Sequence, residues 1–357
     1  MAMKINMLFL LVTLTIFTSC NAQNTSREKI IGEPVHSIGN SVWYIFQDRN
    51  NNYWFGSDGQ GVFRYDEKTK TVLRFSTKDG LPNDRVGGIQ EDKAGNIYIS
   101  TLDGISKFDG QTFTTLVPVE SNEWKLDPDD LWFSILGKKN ERGPYRYDGK
   151  TLYHLKFPKH YLEDEYYSGN PNPPASPYEV YTIYKDSKGN LWFGTASFGA
   201  CRFDGKSLSW LYEKELTETP DGGSFGIRSI IEDKEGKFWF CNTQNRFNIY
   251  PGIIPEKNLV DYKKEKGIDL SGIIKDRNSI YCQYIVEDNQ RNLWMSTYQS
   301  GVWRYDGMNM THYPVMEGTE NIKIISIYKD KNGNLWLGTQ EAGAYKFNGK
   351  TFEKFKP

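Results

Sequence analysis

The chain has 357 residues, with Lys and Arg (44) balanced by Asp and Glu (45), 15% aromatic residues and 33 glycines. So even a charge excludes a surface built to hold nucleic acid or another polyanion. No run of 18 apolar residues follows residue 20, which excludes a membrane-crossing helix there. A chain rich in aromatics and punctuated by glycine favours sheet over helix.

The first residues read as a targeting segment. Lys4 is followed by an apolar run, Ile5 to Phe17, and then by Phe17-Thr18-Ser19-Cys20. That run has signal-peptide length, and its end resembles a bacterial lipobox. Residues 1–19 are expected to be a lipoprotein signal peptide, Cys20 the lipidated residue, and 20–40 a polar tether. The mature chain is then expected in the periplasm or at the cell surface, anchored by acyl chains to the bacterial, most simply the outer, membrane. Three other cysteines, Cys201, Cys241 and Cys282, stand where other copies of the repeat described next have Phe63, Gly56 and Val42. They read as small buried hydrophobes, not as a disulfide framework or a metal set.

From residue 41 the chain repeats itself. The phrase KDSKGNLWFGTASFGACRFDG at 185–205 returns at 330 as DKNGNLWLGTQEAGAYKFNG and at 288 as DNQRNLWMSTYQSGVWRYDG. Further copies begin at Asp48, Asp92 and Asp233, and a degenerate one centres on Leu131-Trp132-Phe133. Three residues before the turn Asp stand Ile45, Ile89, Ile183, Ile230, Ile285 and Ile327. Six before it stand Val42, Val86, Val180, Ile227, Cys282 and Ile324. The residues between vary: Trp43, Gly87, Tyr181, Arg228, Gln283 and Ile325. Fixed apolar positions flanking a free one describe a strand with one committed side.

Each unit reads as four strands. The first ends at the turn Asp, the second is of Leu-Trp-Phe-Gly type, the third of Arg/Lys-aromatic-Asp type, and the fourth resembles Thr-Leu-Tyr-His-Leu. Asp-Gly or Asn-Gly pairs at 109, 148, 204, 306 and 348 are expected to form type I′ turns between strands three and four. The turn acids themselves are expected to close their loops through Asx turns; Asp-x-x-Gly is too poor in acids for calcium. Units of this length predict an all-β, seven-bladed β-propeller of four-stranded antiparallel blades at about 41–76, 84–116, 123–155, 178–211, 226–250, 280–313 and 322–355. In the third blade Glu123 to Leu126 is expected to be the first strand. Ring closure is expected by side-chain packing, with an added strand from 29–34 as the alternative.

The pattern Val-x-x-Ile-x-x-Asp-x-x-Gly-Asn-Leu-Trp-x-Gly-Thr, together with the lead-in Asp79-Gly80-Leu81-Pro82, resembles the two-component regulator propeller repeat. That resemblance covers 41–355. It implies an extracytoplasmic binding or sensing propeller of the sort that forms the sensor half of hybrid histidine kinases responding to oligosaccharides. No kinase segment follows in this sequence, so a stand-alone lipoprotein form without phosphotransfer is expected.

Strands within a blade run antiparallel, so two-to-three loops and four-to-one connections share one face. The long connections (117–122, 156–177, 212–225, 251–279 and 314–322) therefore all decorate that face, where binding residues gather. Candidate ligand-binding residues there are Trp43, Trp124, Tyr166, Tyr181, Phe198, Arg228, Gln244, Arg246, Gln283, Tyr298, Gln340 and Glu341. Aromatic faces beside amides, carboxylates and guanidinium suit a polyhydroxylated ligand or a peptide surface. Four histidines without metal-ligand spacing give no cofactor or metal site. The expected function is non-catalytic engagement, by a monomer, of an oligosaccharide or an envelope protein. The alternatives are a polysaccharide lyase or hydrolase acting at the channel mouth, and a structural subunit of an envelope complex.

Overall fold

The computed structural model describes residues 31–137, 141–218, 225–240, 242–268 and 282–357. The signal-peptide, Cys20 and Cys241 expectations lie outside the described residues, as do parts of the connections at 212–225 and 251–279. The described chain is a β-propeller. Seven strand sets follow one another, at 42–75, 86–116, 118–155, 180–211, 230–266, 282–313 and 324–354. The first shows the plan: Val42–Gln47, Tyr53–Ser57, Val62–Asp66 and Thr71–Phe75, each pairing antiparallel with the next.

The repeated residues explain the plan physically. Turn acids act as four-way acceptors. Asp186 Oδ1 accepts the backbone N–H of Lys188 and Asn190, and Oδ2 accepts from Asn190 Nδ2 and from Trp192 Nε1 at 2.9 Å. The indole contact recurs at Trp54, Trp239, Trp294 and Trp336, and Asp92 takes the Tyr98 hydroxyl instead. One side chain thus closes the turn and orients the core aromatic six residues on. Over that ring sits the cation of the third strand: Arg64 over Trp54, Arg202 over Trp192, Arg304 over Trp294 and Lys346 over Trp336, at 4.9–5.9 Å.

Aromatic contacts then run from blade to blade. Trp54 meets Phe108, Tyr98 meets Phe133, Trp132 meets Phe193, and Trp192 meets Phe238 at 5.0 Å. Trp239 meets Tyr305, Trp294 meets Phe347, and Trp336 returns to Tyr53 at 4.7 Å, which closes the circuit. Second-strand glycines permit this approach. A Cβ on Gly194 would lie 2.5 Å from the Ile227 carbonyl oxygen of the next blade, and one on Gly338 would lie 2.6 Å from that of Val42. The seam between the last and first blades adds Tyr53 Oη donating to Asp330 at 2.8 Å and Lys331 N–H donating to Gln47 at 2.9 Å. Closure is by packing and hydrogen bonds. Glu33–Val35 does add a strand, but to the outer edge of blade one beside Thr71–Phe75, so it does not bridge the seam.

The structure departs from expectation in three places. In blade three, Glu123 to Leu126 forms no strand. The chain enters along the outer edge instead, where Pro118–Ser121 pairs parallel with Leu152–Leu155, and then runs on without strand through Trp124. Trp124 stacks on Trp132 and Phe157 at 5.9 and 5.6 Å, and this apolar burial holds the segment away from the channel. In blade five the third strand runs on as Asn242–Ile254 and the fourth is Leu259–Lys266, so residues 251–266 are blade rather than connection. Alternating Ile249, Ile253, Val260 and Tyr262 make that extension a strand pair. The Asp-Gly hairpins have positive φ only at glycine (99° at Gly110, 88° at Gly205), with the following residue on the ordinary side. That departs from type I′, which needs two successive positive φ angles, and the Asp carboxylate accepts the N–H groups of the two residues after glycine.

Candidate functional site

The Val-x-x-Ile spacing of three breaks the two-residue period of a strand. The structure resolves this with a β-bulge. Register shifts fall between Val42 and Tyr44, Val86 and Gly88, Val180 and Thr182, Cys282 and Tyr284, and Ile324 and Ser326. The variable residue is the inserted one in each case, freed from the ladder and re-aimed. In blade five, Arg228 precedes the shorter strand Ile230–Glu232.

All six variable residues line one cavity of about 620 Å³ at the axis: Trp43, Gly87, Tyr181, Arg228, Gln283 and Ile325. Two-to-three loops supply Asp58, Leu102, Tyr298 and Gln340, and blade three, lacking an inner strand, supplies Leu136 and Gly137. The cavity opens on the face of the long connections, and its size is that of small-molecule sites. Its wall is internally braced. Tyr298 donates to Gln340 Oε1 at 2.5 Å, and Arg85 Nε donates to Asp58 Oδ1 at 2.5 Å. The Arg228 guanidinium lies 4.9 Å over the Tyr181 ring and 5.2 Å over Phe225, while its Nε donates to the Phe225 carbonyl. Glu179 is 3% exposed and accepts from Gly137 N–H. Burial pushes its carboxyl up, against the lowering effects of that N–H, of the Tyr181 hydroxyl and of Arg228. Burial also pushes the Tyr181 phenol up to about 12, with the Glu179 charge adding to the rise. The Trp43 indole N–H is buried and has no hydrogen-bond partner among the described residues.

Of the twelve sequence candidates, the cavity brings together Trp43, Tyr181, Arg228, Gln283, Tyr298 and Gln340. Tyr166 and Phe198 line a separate cavity beside blade four. Glu341 neighbours Gln340 but points to solvent, 4.0 Å from Lys323. Trp124 is an inter-blade packing residue whose indole donates to the Lys156 carbonyl. Gln244 and Arg246 lie in the strand Asn242–Ile254, not in a loop. Arg246 pairs with Glu235 at 3.1 Å and stands 3.8 Å from Asp233, at the turn end away from the cavity. It is the third-strand cation of its blade, displaced in the sequence by the degenerate second-strand end. The cavity also includes Tyr44, Tyr284 and the Asp58–Arg85 pair, none of them singled out beforehand, and Glu179, which the sequence offers with Glu163 and Glu165 as a paired-carboxylate candidate. Tyr44 and Tyr284 follow bulged residues, so the spacing of three was the signal that could have found them. The sequence could not fix where Glu179 stands relative to other acids, because its setting depends on the backbone at Gly137. Among the described residues no group of His, Cys, Asp and Glu could hold a metal ion. Cys201 and Cys282 are buried and neither takes part in a disulfide.

Comparison with known proteins places this geometry. The family model of the two component regulator propeller matches residues 36–59, 80–103, 175–197 and 318–341. A histidine kinase P4 from Formosa agariphila is 24% identical over 302 residues, and the chain spans 20% of that protein's length. Among solved structures, the extracellular domain of a hybrid two-component system from B. thetaiotaomicron matches at TM-score 0.56 and 18% identity, over 89% of this chain and 40% of that one. Virginiamycin B lyase from Staphylococcus aureus matches at TM-score 0.60 and 12% identity, over 88% and 97% of the two chains. These structures share the β-propeller fold, and four stretches of this chain match the two component regulator propeller repeat, consistent with a protein of that type.

Proposed function

We propose that the protein is an extracytoplasmic, lipid-anchored sensing or binding propeller that engages an oligosaccharide in its axial cavity without transforming it. The observation that carries this reading is the convergence of six bulged or loop-end residues, one variable position from each of six first strands, on one cavity. Its lining mixes aromatic faces, amides and paired charges, which suits a ligand dense in hydroxyl groups. The repeat match, and the likeness to an extracellular domain of a two-component system, support the location outside the cytoplasm. The lipobox-like Phe17-Thr18-Ser19-Cys20 supports a lipid on Cys20 as the anchor.

A catalytic reading draws on Glu179, whose raised protonation beside Tyr181 and Arg228 is the kind of perturbation found at acid–base sites. Calorimetric titration with an oligosaccharide panel, followed by chromatography of the same mixtures, tests both readings. Heat without product supports the binding reading, and new product replaces it with a lyase or hydrolase. Absence of heat with every glycan, together with a co-purifying envelope protein, replaces it with a structural role.

A further inference from the structure

A second cavity, of about 510 Å³, lies beside blade four on the same face as the axial one. Its walls come from the two connections either side of that blade. Helix Glu163–Gly169 supplies Glu165 and Tyr166, and the 212–218 segment supplies Tyr212, Lys214 and Glu218. Phe198, 1% exposed, forms the floor, with the Tyr166 ring 5.4 Å from it, edge to face. The two cavities share a wall one ladder thick. Ala196 N–H donates to the carbonyl of Glu179, which lines the axial cavity, while the next residue, Ser197, lines the second.

We infer, resting on the glycan reading above, that the second cavity is a further subsite for the same ligand, and that the ligand is a linear, uncharged oligosaccharide long enough to cross from Tyr181 to Tyr212. Two half-buried tyrosines over an aromatic floor offer stacking faces to a sugar ring. Charge selects the class. The second cavity carries Glu165 and Glu218 against Lys214, and the axial cavity carries Asp58 and Glu179 against Arg85 and Arg228. Neither holds the surplus of cations that a sulfated or uronic chain needs. A chain bridging both cavities gains the second site at high effective concentration, so affinity rises with length.

The test is calorimetry with ladders of malto-, cello- and xylo-oligosaccharides from disaccharide to octasaccharide, beside a matching oligogalacturonate ladder. Wild-type affinity is expected to rise at least about tenfold between short and long members of one neutral ladder. Tyr212→Ala should remove that gain and leave short-chain affinity unchanged; Trp43→Ala should weaken both. Because Tyr212 is half-buried, Glu165→Lys, at an exposed position, provides a second arm: it should improve binding of the acidic ladder only beyond the length at which the neutral ladder gains. Affinity that is flat with length, equal losses at all lengths in Tyr212→Ala, or tighter wild-type binding of the acidic ladder overturns the inference while leaving axial glycan binding intact. No heat with any ladder overturns the glycan reading itself, and this inference with it.

Discussion

Replacing Trp192 with alanine probes the scaffold at its most loaded point. The indole is fully buried and lies 5.0 Å from Phe238 and 5.7 Å from Phe240 of the next blade, under the Arg202 guanidinium at 5.9 Å. Its N–H donates to Asp186. Truncation of a buried Trp costs about 3–5 kcal/mol, from lost transfer energy and an unfilled cavity. Asp186 Oδ2 keeps Asn190 Nδ2 at 2.8 Å, so the carboxylate is not orphaned and no larger penalty is due. Trp192→Phe separates the two contributions: it fills most of the space but loses a charge-assisted hydrogen bond, at about 1.5–3 kcal/mol. Urea titration followed by fluorescence, with unchanged slope, measures both. A loss below about 1 kcal/mol for Trp192→Ala would refute the assignment of this ring to the inter-blade core.

Further outcomes follow from the same geometry. Gly338→Ala places a methyl 2.6 Å from the Val42 carbonyl and 2.5 Å from Ser326 Oγ, so the seam should open at a cost of about 1–3 kcal/mol in denaturant titration. Gly169→Ala, which meets no atom within 4 Å, should be near neutral and serves as its control. Burial pushes the carboxyls of Asp92, Asp288 and Asp330 up, but donors from the neighbouring indole, phenol, amide and backbone groups outweigh it and hold them below the usual Asp range. Their stabilisation is therefore complete above the unfolded value of about 3.9 and is lost as pH falls through the lower folded values. Melting temperature should stay level above about pH 5 and drop below about pH 4, less steeply in Asp330→Asn. A level profile down to pH 2 would contradict the four-acceptor role of the turn acids.

The sequence displayed what repeats and hid what breaks the repeat. The turn Asp, the indole six residues on and the third-strand cation recur because each needs the other two, so their spacing was visible without coordinates. The free position at Trp43, Tyr181 and Gln283 was visible too, and the axial cavity follows from it. Its neighbours Tyr44 and Tyr284 were not picked out, because the alternation of an ideal strand hides them until the bulge is recognised. Blade three misled because Trp124 resembles a strand aromatic, while its packing against Trp132, Phe157 and Phe203 pulls the chain to the rim. Arg246 misled through the long strand of blade five, whose extension past Tyr250 depends on pairing with 259–266, a contact that local sequence does not announce. The second cavity depends on two connections meeting across a blade, which no single segment encodes.

The most direct test of the central claim is a crystal structure of the protein with the tightest-binding oligosaccharide from the calorimetric panel. The account predicts sugar density in the axial cavity, stacked on Trp43 or Tyr181 and within hydrogen-bond reach of Arg228 and Gln283. Density only on the opposite face, among the turn acids around Asp233 and Arg246, would contradict it.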